Sequence, residues 1–305
     1  MSAVGIDISK YWIDIALGGK VWRVRRDKES LVQLFDGLPK DSRIVLEATG
    51  RFHRLVVDLA RRAGLEVRVV DPYVFSLYRA SLNPRAKTDP MDALALMRFA
   101  EKEWDRLLDS PVCSKEIQLL KDLLEARETQ VKFKTAFGQS LREMETQLPA
   151  SQKALKAIEA SIKDLDERIT RIARKDPLYS VFLEMNGVGP ATAPALVWLF
   201  RAHSFETSDQ VVAFVGMDVR VKESGKFVGK RKLTKRGPAF IRRLAYLVAN
   251  SLRRTKDFQP LFKRHHDKGL RTNAVNMIVA RKLLRVAHYL ATTGARYDRA
   301  KLLRT

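Results

Sequence analysis

Short apolar and alternating runs fill the first hundred residues and predict strands interleaved with helices. The predicted strands are AVGIDIS (3–9), WIDIALGG (12–19), KVWRVRR (20–26), RIVLEA (43–48) and EVRVVD (66–71). Helices are expected from Asp27 or Ser30 to Leu38, from the Thr49-Gly50 turn to Arg62, and on both sides of a loop at 83–88. This order of elements predicts a mixed α/β sheet and is that of ribonuclease-H-like domains.

The pattern changes to a helical heptad repeat in residues 114–175, which contain one glycine and one proline. Apolar residues recur at spacings of three and four: Leu155, Ile158, Ile162, Leu165, Ile169 and Ile172. A weaker stripe precedes them: Ile117, Leu120, Leu124 and Val131. Such a stripe predicts a long helical coiled-coil spacer. The two helices could pack against each other within one chain or form a dimer interface, and the pattern allows both.

A third, mainly helical region begins near Pro177, where MNGVGPATAPALVWLF (185–200) resembles a helix–hairpin–helix turn. Backbone N–H groups near Gly187 and Gly189, at a helix start, could hold a phosphate. The alternative is a plain tight turn before a core helix. We therefore divide the chain into an α/β domain (1–108), a spacer (109–176) and a C-terminal domain (177–305).

Composition adds a strong positive charge to this picture. The 305 residues include 57 Lys and Arg against 35 Asp and Glu, a net charge of +22. So large an excess favours a polyanionic partner, for which nucleic acid and an anionic membrane surface compete. No apolar run approaches 18 residues and no signal peptide opens the chain, so we expect a cytoplasmic nucleic-acid-binding protein without a membrane association. The single cysteine, Cys113, excludes an internal disulfide and a cysteine-rich zinc site.

The positive charge is densest between residues 212 and 254, and within 220–243 one acid, Glu223, faces ten basic residues. They are Arg220, Lys222, Lys226, Lys230, Arg231, Lys232, Lys235, Arg236, Arg242 and Arg243. A solvated face is the ordinary explanation of such a run. Glycines at 225, 229 and 237 would let the backbone approach a ligand closely, which favours phosphate binding.

Four acids occupy positions that are unusual for charge. Asp7 lies between isoleucines in the first strand, and Glu47 ends the most apolar strand. Asp89 and Asp92 open a helix in KTDPMDA, and their i, i+3 spacing places both on one face. Each has a structural alternative: Asp7 as a turn acid, Glu47 as a strand-end acid, and Asp89 as an N-cap before Pro90. Asp14 alternates in phase with Asp7 but is expected to be less enclosed.

Together the four acids predict a metal site. A buried carboxylate is costly unless it is paired or holds a cation, and Mg²⁺ prefers oxygen ligands. Two Mg²⁺ ions among Asp7, Glu47, Asp89 and Asp92 would clamp a phosphodiester. Lys87 and Arg85, just before the helix, would steer the phosphate in.

These blocks resemble a known family. VGIDISK, VLEATG and KTDPMDA are similar to the Asp, Glu, Asp, Asp blocks of DEDD-type insertion-sequence transposases and the related pilin-gene inversion recombinases, whose N-terminal domain is RuvC-like. NGVGPATA, AFVG, SGK and KRGPAFIRRLAYLVA resemble the C-terminal transposase domain of the same family, in the same order.

The resemblance implies a recombinase whose C-terminal serine attacks a DNA phosphodiester and forms a phosphoserine link. The matching residue is Ser224 in KESGK, and Lys222, Lys226 and Lys230 would stabilise the charge of the phosphorane. The resemblance also implies a structured guide RNA that pairs with DNA, action at the nucleoid, and a homodimer or homotetramer. Two alternatives stay open: a RuvC-like nuclease or Holliday-junction resolvase with water as nucleophile, and a non-catalytic basic nucleic-acid-binding protein.

Overall fold

The computed structural model describes residues 1–48, 50, 52–82, 88–107, 114–144, 146, 148–220 and 232–300, together with the backbone of 223–224 and 227–228. The chain divides into two compact units, Met1–Ser110 and Pro111–Thr305. The first unit is built on a sheet, and the second is dominated by helices. The helices of the predicted spacer, expected at 109–176, therefore lie in the second unit.

A five-stranded mixed sheet forms the centre of the first unit. Its strands are β1 (Ser2–Ile8), β2 (Trp12–Leu17), β3 (Lys20–Arg25), β4 (Ser42–Glu47) and β5 (Glu66–Val70). They lie in the order β3-β2-β1-β4-β5. The first three strands form an antiparallel meander, whereas β1, β4 and β5 are parallel. This confirms the predicted mixed α/β sheet and is consistent with a RuvC-like domain.

Helices cover both faces of this sheet. They are α1 (Lys28–Gly37), α2 (His53–Arg62), α3 (Pro72–Ser81) and α4 (Asp89–Glu103). On one face, the alternate residues Ile6, Ile13 and Ile15 pack against Leu31 of α1 and Val56 of α2. The residues between them face α4 on the other side, because successive strand side chains point in opposite directions.

Gly5 allows α4 to lie directly on the central strand β1. A β-carbon at Gly5 would overlap the carbonyl oxygen of Ala93 and the amide nitrogen of Met97, both in the backbone of α4. Ala16 of the neighbouring strand packs beside the same two helix residues. Small side chains on the sheet thus permit a close helix–sheet contact, and this contact fixes where α4 begins.

Two long helices form an antiparallel pair in the second unit: α5 (Lys115–Glu143) and α6 (Pro149–Ala173). Ion pairs join them along their length: Glu116 with Lys175, Arg127 with Asp166, and Lys134 with Glu159. Of the two arrangements that the heptad stripe allowed, packing within one chain is present. Leu165 and Ile169 are buried in this packing, whereas Leu155, Ile158 and Ile162 stay partly exposed.

In the part of the second unit that the structure describes, the remaining elements are a helical core and four short strands. Its helices are α7 (Pro177–Leu183), α8 (Ala193–Ala202), α9 (Ser208–Phe214), α10 (Ala239–Leu252), α11 (Gln259–His266) and α12 (Thr272–Thr293). Its strands are β6 (Val219–Arg220), β7 (Glu223–Ser224), β8 (Phe227–Val228) and β9 (Lys232–Leu233). Among the described helices, none combines the length and the apolar composition needed to cross a bilayer.

Candidate active site

Two of the predicted acids lie side by side at one edge of the sheet. Strands β1 and β4 are parallel and pair up to Ile6 and Leu46, so Asp7 and Glu47 follow at equivalent positions on adjacent strands. Ile6 and Leu46 both belong to the core beneath α1 and α2. Asp7 and Glu47 therefore share the opposite face, the face that α4 covers.

The other two predicted acids open helix α4 above this edge. The N-cap residue is Thr88, so Asp89 is the first helical residue and the expectation that it caps the helix is wrong. Its carboxylate instead accepts a hydrogen bond from Arg23. Because Ala93 lies on Gly5, the preceding turn with Asp89 and Asp92 extends toward Asp7, two residues beyond Gly5 on the same face.

The acids converge on Asp7. One carboxylate oxygen from each of Asp7, Asp14 and Asp89 lies within 4.8 Å of the others. Burial raises the pKa of Asp7 to about 7, and the negative charges of Asp89, Asp92 and Glu47 act in the same direction. The other three predicted acids are thus close enough to influence the ionisation of Asp7. We call the four predicted acids and Asp14 the acid cluster.

Asp14 is the member of the acid cluster that sequence analysis placed wrongly. It was expected to be less enclosed than Asp7, yet its residue is only 3% exposed. It pairs with Asp7 across β1 and β2, and with Arg23 across β2 and β3. Arg23 Nε and Nη2 donate to its carboxylate at 2.9–3.2 Å, and Nη2 also reaches Asp89 Oδ2 at 3.2 Å. Arg23 therefore joins the sheet to the first turn of α4.

Asp92 is paired with a different arginine, and one of its carboxylate oxygens has no hydrogen-bond partner. Arg79 Nη1, from α3, donates to Asp92 Oδ2 at 2.7 Å. Asp92 Oδ1 is buried and has no hydrogen-bond partner, which is costly for a carboxylate oxygen. An unsatisfied buried oxygen beside a carboxyl group whose pKa is raised by neighbouring carboxylates fits a divalent cation with a preference for oxygen ligands. The predicted steering residues, Lys87 and Arg85, lie outside the described residues.

The candidate nucleophile lies in a small β-structure of the second unit. Ser224 belongs to β7 and pairs with Phe227 of β8, so its backbone is in a strand rather than an irregular loop. Strands β6 and β9 pair antiparallel on either side of it in sequence. Lys222, Lys226 and Lys230, predicted to surround the serine, lie outside the described residues, as does Arg231.

The backbone that follows α9, at Gly216, passes in close contact with the backbone that precedes α10, at Gly237. We call this contact the crossing. Gly216 and Gly237 have φ values of +71° and +92°, and a β-carbon on either would overlap the backbone of the other segment. Arg242 Nη1 donates to the carbonyl oxygens of Val215 at 2.9 Å and Gly237 at 2.8 Å. The close approach predicted for Gly237 is therefore to protein backbone rather than to a ligand.

Lys235 and Arg236 lie in the same crossing. Lys235 has a left-handed backbone, with φ of +55°, and its N–H donates to the carbonyl of Gly216. Arg236 supplies the backbone that Gly216 approaches. Their predicted role in nucleic-acid binding, like that of Arg242, stays a prediction.

The Gly-Val-Gly-Pro segment forms a tight turn between α7 and α8. Gly187 has φ of +79°, and a β-carbon there would lie 3.1–3.2 Å from side chains of α10 such as Val248. The carbonyl of Gly189 accepts the N–H groups of Thr192 and Ala193. The tight-turn alternative accounts for these contacts, and phosphate binding at Gly187 and Gly189 stays a prediction.

Comparison with known proteins gives consistent matches to both units. A family model described as transposase of the IS116/IS110/IS902 family matches residues 179–267, and a DEDD transposase model of the IS110 type matches residues 4–148. The pilin gene-inverting proteins of Moraxella lacunata and Moraxella bovis are each 26% identical over 271 residues, covering 84% of this chain and 82% of their own length. A relative from Sinorhizobium fredii is 24% identical and covers 98% of this chain.

Proposed function

The chain belongs to the IS110-type DEDD transposase family and is a DNA recombinase, and from this premise we propose that it cuts and rejoins DNA with a metal-binding acid cluster and a serine nucleophile. The metal site is supported by the carboxylate oxygens of Asp7, Asp14 and Asp89, which lie within 4.8 Å of one another. Asp92 and Glu47 are near enough for their charges to raise the pKa of Asp7. The serine rests on the match of KESGK to the family.

Asp7, Glu47, Asp89 and Asp92 would hold two Mg²⁺ ions. Asp14 would hold Arg23 in place beside them. Bound Mg²⁺ would neutralise the phosphodiester and polarise its oxygens. The contribution of the chain is positional, because α4 is fixed on β1 at Gly5 and the arginines Arg23 and Arg79 orient two of the carboxylates.

Ser224 would attack the scissile phosphorus. A bond forms between its Oγ and phosphorus, the bond from phosphorus to the leaving deoxyribose oxygen breaks, and the hydroxyl proton is released as that oxygen is protonated. Attack by the hydroxyl of a second DNA end reverses these changes and restores the serine. Lys222, Lys226 and Lys230 would offset the negative charge of the phosphorane.

The partners proposed are DNA, a structured guide RNA and further copies of the chain. A net charge of +22 supports binding of both nucleic acids, since an RNA-guided protein reads backbone and shape rather than bases. The partly exposed apolar residues Leu155, Ile158 and Ile162 of α6 support assembly into a dimer or tetramer.

The test is to incubate the protein with DNA that carries its flanking sequences, with Mg²⁺ and with any RNA that copurifies. We expect a DNA-linked peptide that contains Ser224. Asp92→Asn should abolish both cleavage and adduct, whereas Ser224→Ala should abolish the adduct. Cleavage by Ser224→Ala without an adduct would favour the nuclease with water as nucleophile, and unchanged cleavage by Asp92→Asn would contradict the metal site.

A further inference from the structure

An exposed tryptophan lies next to the acid cluster on the same face of the sheet. Trp12 precedes Asp14 by two residues in β2, so both side chains point to the α4 face, about 7 Å apart along the strand. Trp12 is 41% exposed, although a tryptophan ring normally gains free energy from burial. A large aromatic side chain in this position is available to a ligand at the acid cluster.

A cation lies beside this ring, and a second lies beside the ring of the preceding residue. Arg25 pairs with Trp12 across β2 and β3, and its guanidinium carbon lies 5.9 Å from the centre of the tryptophan ring. The adjacent Tyr11 is 65% exposed, with Lys10 Nζ at 4.9 Å from its ring centre. Alternating aromatic rings and positive charges match the bases and phosphates of an unpaired nucleic-acid strand.

The turn that carries these residues is held in a defined conformation. Arg26 Nε and Nη2 donate to the carbonyl of Lys10 at 2.9 and 2.6 Å, and the guanidinium of Arg26 lies over Phe52. Ser9 exchanges backbone and side-chain hydrogen bonds with Trp12 across the turn. A base that stacks here would meet a surface that is ordered before binding, which lowers the entropic cost of binding.

We propose that Trp12 and Arg25 form a stacking site for an unpaired base of the DNA strand whose phosphate lies at the acid cluster. This inference rests on the proposed function, because the acid cluster selects the strand. The stacking site would hold one nucleotide apart from its neighbours in the duplex, beside the scissile phosphate. The ring would take over the stacking that this base loses.

Trp22 provides a matched control within the same hairpin. It is 36% exposed, close to the exposure of Trp12, but it pairs with Ile15, whose side chain lies in the core beneath α1 and α2. Trp22 therefore lies on the opposite face of the sheet from the acid cluster. Replacing it removes the same side chain without affecting the proposed stacking site.

The experiment measures binding of the full chain to two labelled duplexes by fluorescence anisotropy in the presence of Ca²⁺, a divalent cation with oxygen ligands that can occupy the acid cluster. One duplex is fully paired, and the other is identical except that two thymines at its centre are unpaired. Their ratio of dissociation constants isolates base contacts, because phosphate contacts are common to both. We expect wild type to prefer the unpaired duplex, Trp12→Ala to reduce that preference at least about fivefold, and Trp12→Phe and Trp22→Ala to retain it. Thermal unfolding of each variant checks that the hairpin is intact.

Equal affinity of wild type for the two duplexes would overturn the proposal, as would an unchanged preference in Trp12→Ala or an equal loss in Trp22→Ala. These readings need no cleavage, so failure of the stacking site can be distinguished from failure of the proposed function. If Asp92→Asn abolishes cleavage while Trp12→Ala keeps the preference, only the stacking site fails. If Asp92→Asn cleaves normally, the proposed function fails whatever Trp12 does.

Discussion

Gly5 lies directly beneath Ala93, so closely that a single methyl group on Gly5 would overlap the carbonyl oxygen of Ala93. This contact places the first turn of α4, with Asp89 and Asp92, above Asp7. It therefore determines both the packing of the first unit and the geometry of the acid cluster.

Gly5→Ala should displace α4, because backbone atoms of a helix cannot move aside as a flexible side chain can. We expect a loss of about 2–3 kcal/mol in the free energy of unfolding, measured by denaturant titration, together with loss of DNA cleavage. Gly37→Ala is the control, since no atom lies within 4 Å of a β-carbon there. Equal stability of the two variants would show that α4 does not depend on this contact.

Arg79→Met should leave the buried carboxylate of Asp92 without its 2.7 Å partner. Removing one partner of a buried ion pair is destabilising, and we expect a loss of about 2–4 kcal/mol in EDTA. If Asp92 binds Mg²⁺, saturating Mg²⁺ should reduce that loss. Arg98→Met, at an exposed position on α4, should have little effect in either condition. A loss for Arg79→Met that Mg²⁺ leaves unchanged would contradict metal binding by Asp92.

Arg242→Met separates a structural role from nucleic-acid binding. The variant loses hydrogen bonds from a charged donor to the carbonyls of Val215 and Gly237, so we expect a loss of about 1.5–3 kcal/mol in the free energy of unfolding. Arg254→Met removes the same charge from an exposed position and should leave stability nearly unchanged. If Arg242 stabilises the crossing and makes no contact with DNA, Arg242→Met and Arg254→Met will show the same salt dependence of DNA binding.

The lowered pKa of the buried His203 predicts that the stability of the second unit depends on pH. Burial, together with the smaller effect of the positive charge of Lys121, lowers its pKa to about 4. Between the unfolded value of about 6.5 and pH 4, the unfolded chain takes up a proton that the folded chain does not. Stability should therefore fall as the pH falls through this range, by at most about 1.4 kcal/mol per pH unit from this group.

His203→Gln should flatten this part of the stability profile. Denaturant titrations at pH 7, 6 and 5, followed by far-UV circular dichroism, measure it. Parallel profiles for wild type and variant would show that His203 does not titrate in this way.

The sheet and four acids were predictable because their signals are local. Strand alternation and the i, i+3 spacing of Asp89 and Asp92 both follow from backbone geometry. The burial of Asp14 was not predictable in the same way. It depends on α4 docking over the meander, a contact between residues far apart in sequence, and nothing in WIDIAL distinguishes a covered strand from an open one.

The partners of the acids were missed for the same reason. In KVWRVRR, Arg23 is one of three similar arginines, and only the pairing of β2 with β3 places it opposite Asp14. The predicted ligand approach of Gly237 was wrong because a glycine that permits close approach does not identify what approaches it. The heptad stripe likewise suits packing within one chain and packing between chains equally well.

The most direct test of the acid cluster is calorimetric titration of Mg²⁺ into the full chain and into Asp7→Asn, with Asp58→Asn, an acid of α2 on the other side of the sheet, as the control. We predict saturable binding to wild type and to Asp58→Asn, and loss of that binding in Asp7→Asn. Identical titrations for all three proteins would contradict a divalent-metal site at Asp7.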